Sequence, residues 1–342
     1  MTVQEALGRL LDGHDLSREQ ARAVMNLVME GEATPAQIGG LLVALRLKGE
    51  TVDEIAGCAE AMRTHVLTVR PQRDDLVDTA GTGGDLARTI NISTAAALVA
   101  AAAGAGVAKH GNRAVSSASG SADVLEALGF RLELPPARIE RSIDDLGFGF
   151  LFAPTHHPAM RHAAPVRREL AARTVFNVLG PLTNPAGARA QLVGVYAPSL
   201  VRTIAEVLAQ LGARRAFVVH GAGGIDELSP VGPNLVCEVV GGGVREREID
   251  PLELGVERCD PAELRGGSPA ENAAAIRAVF RGENGGRRSA ILLNAAGAIA
   301  AAGRARDLRE GLGFAREAVD SGAAAGRLDE LIAFSRESEV IA

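Results

Sequence analysis

Residues 76–121, LVDTAGTGGDLARTINISTAAALVAAAAGAGVAKHGNRAVSSASGS, set the architecture of the chain. The apolar pair at residues 76–77 predicts a short strand, which runs into a turn of glycines, a threonine and an acid at residues 81–85. Glycines let such a turn present its backbone N–H groups to a ligand. The Ala-rich run behind it predicts a helix capped by Ser93 or Thr94. A helix N-terminus beside a glycine turn is a ready anion site.

A second predicted strand, at residues 107–108, leads into a polar loop at residues 109–113. Two strand ends with polar loops, joined by one helix, predict a ligand crevice at the edge of an α/β sheet. Lysine occurs only at Lys48 and Lys109, because arginine supplies the other positive charges of the chain. The ammonium of Lys109 suits a phosphate group, and chance retention is the alternative explanation.

The composition limits the class of protein. A chain of 342 residues that is 47% hydrophobic and 23% charged is typical of a soluble globular protein. A net charge of -6 and 3% aromatic residues argue against a nucleic-acid binder. Cys58, Cys237 and Cys259 form no C-x-x-C pair, so we expect reduced thiols. The beginning of the chain resembles no signal peptide and no apolar run is long enough for a membrane span, so we expect a cytoplasmic protein.

The first 70 residues predict a small all-helical subdomain. Ser or Thr is followed three residues later by Glu or Gln in four capping boxes, each before an apolar run of helical period. The four pairs are Thr2/Glu5, Ser17/Gln20, Thr34/Gln37 and Thr51/Glu54. We expect residues 158–186 to contribute to this subdomain, and residues 70–73 to link it to the rest of the chain.

From residue 74 to residue 342 the pattern predicts a larger α/β domain that binds the ligand. Short β-like runs alternate with helical ones, which favours a central mixed, mainly parallel sheet flanked by helices. The predicted strands after residue 121 are 148–152, 192–196, 216–220, 236–240 and 244–249, the last two as an antiparallel hairpin. The predicted helices are 122–128, 136–146, 200–211 and 291–302, and residues 177–185 predict a rigid loop.

Three groups of residues suggest chemistry. The turn at 81–85 is neither a Walker A motif nor a dinucleotide fingerprint, which leaves phosphate binding or a plain strand–helix turn. Asp226 and Glu227 follow a second glycine-rich loop, and they predict either a Mg²⁺ anchor or a solvated acidic turn. Three histidines at 156, 157 and 162 lack zinc-site spacing, so a structural or substrate-lining role is favoured.

Two adjacent arginines, Arg167 and Arg168, follow the histidines. They suggest carboxylate recognition. Because neighbouring residues of a helix point in different directions, we expect one of the two to face inward and the other outward.

These motifs together resemble the family of anthranilate phosphoribosyltransferases. The resemblance covers nearly the whole chain in order, and its two most specific motifs are GTGGD and KHGNR. The matching stretches are GTGGD at 81–85, N-x-S-T at 91–94, KHGNR at 109–113, HPAM at 157–160, NVLGPLTNP at 177–185 and the acidic pair at 226–227.

The resemblance implies a function and a fold. Such an enzyme transfers phosphoribose from 5-phosphoribosyl-1-pyrophosphate (PRPP) to the amine of anthranilate, with Mg²⁺, in tryptophan biosynthesis. It implies a helical subdomain beside a larger α/β domain, two Mg²⁺ ions and a homodimer, with neither nucleic acid nor membrane as a partner. We expect no covalent enzyme intermediate and no essential general base, because positioning and leaving-group stabilisation carry the rate.

The resemblance also implies the roles of individual residues. The implied catalytic residues are Lys109, Asp226 and Glu227. The implied PRPP-binding residues are Gly81, Thr82, Gly83, Gly84, Asp85, Thr89, Asn91, Ser93, Thr94, Lys109 and Ser121. The implied anthranilate-binding residues are Gly81, His110, Asn112, His157, Arg167 and Gly180. The implied metal ligands are Ser93, Asp226 and Glu227.

Two other functions are the alternatives. A pyrimidine nucleoside phosphorylase has a similar architecture but attacks with phosphate, and the KHGNR motif and the acidic pair speak against it. A non-enzymatic relative that binds nucleic acid would have lost KHGNR and gained a basic groove. This chain keeps the motif and has a negative net charge.

Overall fold

The computed structural model describes residues 1–85, 87–114 and 118–337. Its first part is helical, as the capping boxes predict. The side chains of Thr2, Ser17, Thr34 and Thr51 each accept the backbone N–H three residues on, and the Glu or Gln there accepts the N–H of the cap residue. The helices are α1 (Val3–Leu11), α2 (Arg18–Glu30), α3 (Pro35–Lys48) and α4 (Val52–Thr64).

A seven-stranded sheet forms the centre of the described part of the chain. Its order is β3-β2-β1-β4-β5-β6-β7; the first five strands in that order pair in parallel, and β6 and β7 add an antiparallel hairpin. The strands are β1 (Leu76–Gly81), β2 (Gly106–Gly111), β3 (Phe148–Phe152), β4 (Ala190–Gly194), β5 (Arg215–His220), β6 (Asn234–Val240) and β7 (Gly243–Ile249). The predicted fold class, an all-helical N-terminal part with a larger α/β part around a mixed, mainly parallel sheet, is confirmed.

Helices flank the sheet. They are α5 (Ile92–Ala102), α6 (Ser121–Leu128), α7 (Pro136–Leu146), α8 (Ala153–His156), α9 (Ala164–Leu170), α10 (Phe176–Leu179), α11 (Leu200–Gln210), α12 (Pro269–Phe280), α13 (Gly286–Ala301), α14 (Leu308–Asp320) and α15 (Ala323–Arg336). Short 3-10 turns lie at Pro158–His162, Gly180–Leu182, Pro251–Leu254 and Pro261–Leu264. Among the described residues, no helix is both long enough and apolar enough to cross a membrane.

The apolar core lies on both faces of the sheet, because successive residues of a strand point to opposite faces. On β4, Leu192 belongs to the cluster that packs under α5 and α13, whereas Val193 belongs to the cluster that holds α11 and the N-terminal helices. The core of α1–α4 is therefore continuous with one face of the sheet. The domain boundaries at 1–70 and 74–342 stay predictions.

Two local predictions are wrong. Ser93 and Thr94 do not cap α5: the helix begins at Ile92, Asn91 precedes it, and no side chain in the described part of the chain caps it. The Thr94 hydroxyl is buried in the helix, and none of the residues that the structure describes is its hydrogen-bond partner. Residues 177–185 are not simply a loop, because α10 and the 3-10 turn Gly180–Leu182 occupy most of them.

Candidate active site

The acidic turn, which carries Asp226 and Glu227, and the glycine turn at residues 81–85 meet beyond the carboxyl ends of the central strands. Oxygen atoms of Asp85, Asp226 and Glu227 lie within 4.8 Å of one another. Asp226 is only 8% exposed. The glycine turn contacts it directly, because the N–H of Gly83 donates to Asp226 Oδ2 at 2.7 Å. The predicted acidic pair therefore becomes a cluster of three carboxylates, of which Asp85 comes from the glycine turn.

Glycines on two neighbouring strands make room for Asp226. A Cβ on Gly81 of β1 would lie 2.3 Å from Asp226 Oδ2. A Cβ on Gly194 of β4 would lie 1.4 Å from the Asp226 carbonyl oxygen. Any side chain at either position would therefore collide with the acidic turn, so these two glycines are needed for the close approach.

The cluster fits a divalent cation. Burial, and next the Asp85 carboxylate, raise the pKa of Asp226 to about 7. Burial and the charges of Asp226 and Asp85 raise the pKa of Glu227 well above its usual value. Glu227 Oε2 is buried and has no hydrogen-bond partner among the described residues. Three crowded carboxylates with an unpartnered oxygen are the hard ligands that Mg²⁺ takes, and a bound cation relieves their mutual repulsion.

Lys109 lies at the floor of this site rather than in a loop. The sequence placed it after the second strand, but β2 extends to Gly111 and Lys109 is 2% exposed. Its Nζ donates to the Thr79 carbonyl oxygen at 2.5 Å, and lies 3.3 Å from Thr79 Oγ1 and 3.5 Å from Ser93 Oγ. Burial lowers the pKa of Lys109 to about 8, partly offset by the carboxylates of Asp78 and Glu227. All three ammonium hydrogens have partners in the protein, so direct contact with phosphate stays a prediction.

Asp78 is a buried carboxylate that joins the two sides of the site. It accepts the backbone N–H of His110 at 3.1 Å, and Asn184 Nδ2 donates to its second oxygen at 2.7 Å. The same Asn184 amide donates to the Ala108 carbonyl oxygen at 2.8 Å. Burial raises the pKa of Asp78 to about 6, opposed by the charge of Lys109. Asp78 thereby ties the segment 177–185 to β1 and β2.

His110 and His157 form a buried imidazole pair beside this network. Their Nε2 atoms lie 3.1 Å apart, and His110 Nδ1 lies 3.1 Å from the Gly180 carbonyl oxygen. Burial lowers the pKa of His110 to about 3 and that of His157 to about 4. Both rings are therefore neutral near pH 7. A carbonyl only accepts, so His110 donates from Nδ1, which leaves its Nε2 to accept the Nε2–H of His157.

The other two histidines of this segment, His156 and His162, contact other parts of the chain. His156 is buried, and its Nδ1 lies 2.8 Å from the Leu67 carbonyl oxygen. The ring of His162 lies against Gly31 at the end of α2, where a Cβ would be 2.6 Å from the ring. The ring of His157 contacts that of His110, with the ring centroids 4.9 Å apart.

Hydrogen bonds connect the polar residues at the starts of α5 and α6 with the loops beside them. Asn91 Nδ2 donates to the Ser119 carbonyl oxygen at 3.0 Å, and Asn91 Oδ1 accepts from Asn272 Nδ2 at 2.9 Å. The N–H of Asn112 donates to Ser121 Oγ at 3.2 Å. The structure thus links the loop after β2 to the first residue of α6, and the start of α5 to the loop before α6.

Three other predicted site residues have contacts of their own. Thr89 pairs with Arg265 in an isolated bridge. Thr82 Oγ1 accepts the N–H of Tyr196 at 3.0 Å. Arg167 lies over the ring of Phe176, with Cζ 5.0 Å from the ring centroid, and burial lowers its pKa.

Arg167 is half-buried and Arg168 is exposed, so the prediction that one of the two faces inward is confirmed.

Known protein families match both the helical part and the α/β part of the chain. A model described as "Glycosyl transferase family, a/b domain" matches residues 73–325, and one described as "Glycosyl transferase family, helical bundle domain" matches residues 4–66. An anthranilate phosphoribosyltransferase of Anaeromyxobacter sp. (strain Fw109-5) is 55% identical over 98% of this chain and 99% of its own length. The chain belongs to the anthranilate phosphoribosyltransferase family. The family resemblance predicted from the motifs is confirmed.

Solved structures of anthranilate phosphoribosyltransferases have the same fold. The crystal structure of the Thermus thermophilus protein (TrpD) has a TM-score of 0.92 and 50% identity, and covers 97% of this chain and 99% of that chain. The Saccharomyces cerevisiae enzyme in complex with PRPP and Mg has a TM-score of 0.88 and 28% identity, and covers 97% of both chains. The yeast enzyme has also been solved in complex with 4-fluoroanthranilate.

Sequence reasoning missed several residues of the site in this anthranilate phosphoribosyltransferase family member. Arg173 donates to the Gly84 carbonyl oxygen and lies 4.2 Å from the ring centroid of Tyr196, so it holds the glycine turn from outside. Asp78 and Asn184 lie inside quoted motifs but were not singled out. A polar residue within an apolar strand was the available signal for Asp78.

Proposed function

We propose that this chain transfers the phosphoribosyl group of PRPP to the amine of anthranilate, which gives N-(5-phosphoribosyl)anthranilate and pyrophosphate in tryptophan biosynthesis. The observation that carries the proposal is the contact between the glycine turn and the acidic turn. The N–H of Gly83 donates to Asp226, and Asp85 lies in the same carboxylate cluster. A turn that offers N–H groups beside carboxylates for a cation suits a pyrophosphate–metal complex.

On the donor side we assign PRPP to the loops above β1, β2 and the start of α5. Backbone and side-chain donors surround that space, and the positive charge of Lys109 lies beneath it, buried among Thr79 and Ser93. The assigned residues are Gly81, Thr82, Gly83, Gly84, Asp85, Thr89, Asn91, Ser93, Thr94, Lys109 and Ser121. Thr94 is the least supported of these, because its hydroxyl is buried inside α5.

We assign Mg²⁺ to Asp226, Glu227 and Ser93, with two ions as the number. The unpartnered Glu227 oxygen and the raised pKa values of both acids support the assignment. When bound, the ions neutralise the charge that develops on the departing pyrophosphate. The acids orient the ions and Lys109 adds a fixed positive charge, so the chain stabilises the leaving group without a covalent intermediate.

On the acceptor side we assign anthranilate to the space around the neutral imidazole pair, with Gly81, His110, Asn112, His157, Arg167 and Gly180 as lining residues. Because His110 and His157 are uncharged near pH 7, they do not compete with the arginine for the anthranilate carboxylate. The Gly180 carbonyl fixes the His110 tautomer, which leaves His157 Nδ1 as a hydrogen-bond acceptor for an amine N–H. Positioning of the weakly basic amine then suffices, and no general base is required.

We propose a homodimer formed through the N-terminal helices. Leu11 at the end of α1 is 75% exposed, Leu47 on α3 is 82% exposed, and Val43, one turn before Leu47, is 38% exposed. Apolar side chains exposed together on neighbouring helices are typical of an interface. We also place the enzyme in the cytoplasm, which agrees with three unpaired cysteines.

The test is the loss of anthranilate fluorescence in a mixture of purified protein, PRPP and Mg²⁺, with EDTA as the control. The proposal expects a decay that requires all three components. A folded protein that leaves anthranilate untouched contradicts it. Phosphate-dependent cleavage of thymidine or uridine by such a protein would instead support a nucleoside phosphorylase.

A further inference from the structure

Asn294 is a buried amide in the middle of an apolar helix, α13, and it contacts the acidic turn. It is 1% exposed. Its Oδ1 accepts the backbone N–H of Leu228 at 2.9 Å, and its Nδ2 donates to the Leu228 carbonyl oxygen at 2.7 Å. Nδ2 also donates to the Ala290 carbonyl oxygen, one turn earlier in the helix, at 2.8 Å. One side chain thus satisfies both backbone groups of the residue that follows Glu227.

A glycine on the same face of α13 lies against β4 and the turn. A Cβ on Gly297 would lie 3.1 Å from Leu192 Cδ1 and 3.5 Å from Leu228 Cδ1. The first distance is tighter than most Cβ contacts and the second is ordinary van der Waals contact, so the absent side chain lets α13 approach β4 closely. Asn294 and Gly297 are three residues apart and therefore lie on one side of the helix.

The two neighbours of Glu227 are consequently both held in place. Asp226 is fixed against Gly194 and by the N–H of Gly83, as described above. Leu228 is fixed by Asn294. The Glu227 carboxylate between them lies next to a small cavity that Asn294 and Ser93 also line. The backbone on either side of the proposed metal ligand therefore has little freedom.

We propose that Asn294 is a positioning residue, which holds the acidic turn in the conformation that binds the divalent cation. This inference rests on the metal assignment made under the proposed function. Residues behind metal ligands that fix their orientation commonly change metal affinity by about 10- to 100-fold when they are replaced. An amide that only filled space in the core would affect stability and leave the metal affinity unchanged.

The experiment compares Asn294→Leu and Asn294→Ala with a control in another part of the chain, Ser335→Ala. Ser335 on α15 is also fully buried and also fixes backbone, since its Oγ accepts the N–H of Arg131 at 3.0 Å and donates to the Ile332 carbonyl oxygen at 2.9 Å. Binding of Mn²⁺ in the presence of inorganic pyrophosphate is followed by electron paramagnetic resonance, and thermal unfolding is measured on the same samples.

The inference expects the Mn²⁺ dissociation constant to rise about 10-fold or more in both Asn294 variants and to stay at the wild-type value in Ser335→Ala. The apparent Mg²⁺ activation constant rises with it, whereas the KM for anthranilate stays unchanged. Folded Asn294 variants with wild-type Mn²⁺ affinity overturn the inference, and so does an equal loss in the control. Failure of both Asn294 variants to fold also overturns it, because the amide is then a requirement of the fold. Mn²⁺ binding needs no turnover, so an inactive wild-type protein would contradict the proposed function and leave this comparison intact.

Discussion

Replacement of Gly81 by alanine should disturb one oxygen of the acidic turn and little else. The new Cβ would lie 2.3 Å from Asp226 Oδ2 and 2.9 Å from its Cγ. Gly81 has no positive φ, so alanine can adopt its backbone conformation. The carboxylate must therefore move, and the 2.7 Å hydrogen bond from the N–H of Gly83 to Oδ2 is lost.

The size of the effect follows from that bond. A hydrogen bond to a charged group contributes about 1.5–3 kcal/mol, and about 1.4 kcal/mol corresponds to a tenfold change. If the orientation of Asp226 matters for the reaction, kcat/KM should fall about 10- to 100-fold. The thermal midpoint should fall by several degrees as well, because the same hydrogen bond is lost from the folded protein.

The assay is the loss of anthranilate fluorescence at several PRPP and Mg²⁺ concentrations, alongside thermal unfolding. Gly313→Ala is the control: on the exposed side of α14 its Cβ would meet no atom of the described residues within 4 Å, and a helical alanine is slightly stabilising. A Gly81→Ala enzyme with the wild-type kcat/KM refutes the reasoning. A change confined to the KM for anthranilate refutes it as well, because the collision lies on the metal side.

Three further substitutions probe the charges of the site. Lys109→Met removes the buried charge that faces Asp78 and Glu227, so kcat/KM for PRPP should fall about 100-fold or more. A variant with the wild-type kcat/KM in steady-state kinetics would contradict this prediction. Glu227→Gln removes repulsion within the carboxylate cluster, so the thermal midpoint in EDTA should rise by about 2–4 °C while turnover drops. A lower midpoint in calorimetry would contradict the repulsion between these carboxylates. Burial, and next the neighbouring His157, lower the pKa of folded His110 to about 3, so the unfolded chain takes up a proton first as the pH falls below about 6.5. The contribution of His110 to the free energy of unfolding is therefore fully present above pH 6.5 and decreases toward pH 3. About 2 kcal/mol of it is lost at pH 5. In His110→Gln the decrease in unfolding free energy between pH 7.5 and pH 5, measured by urea unfolding, should be smaller by that amount. A decrease equal to that of the wild type would contradict the neutral state of the imidazole pair.

The helical part of the fold was predictable because its signals are local. A capping box needs only residues three apart, and Thr2, Ser17, Thr34 and Thr51 all cap helices as predicted. Strands and the hairpin were predictable to within a few residues for the same reason, since apolar runs and glycines lie next to each other in the chain.

The boundary between β2 and its loop was not predictable, because a long-range pairing sets it. Lys109 and His110 look like loop residues, but β3 pairs alongside them and Lys109 lies opposite Phe150. Their polar groups are satisfied by Thr79 and Gly180, which lie 30 and 70 residues away. No local pattern contains such partners.

The main motifs of the candidate site could be predicted from the sequence, but the residues that hold those motifs in place could not. The motifs identified the acidic pair and the glycine turn, because both have unusual compositions. They did not indicate that Asp78 bonds Asn184 across 106 residues, or that Asn294 bonds Leu228 across 66. A single buried amide in an apolar helix acquires its role only through tertiary contact.

The most direct test is the rate of anthranilate fluorescence loss as a function of Mg²⁺ concentration, in the wild-type protein and in Asp226→Ala/Glu227→Ala. The account predicts a saturable Mg²⁺ dependence in the wild type, complete loss of activity in EDTA, and a kcat/KM lower by about 100-fold or more in the double variant. A rate that does not depend on the metal, or a double variant that keeps the full kcat/KM, would contradict the account.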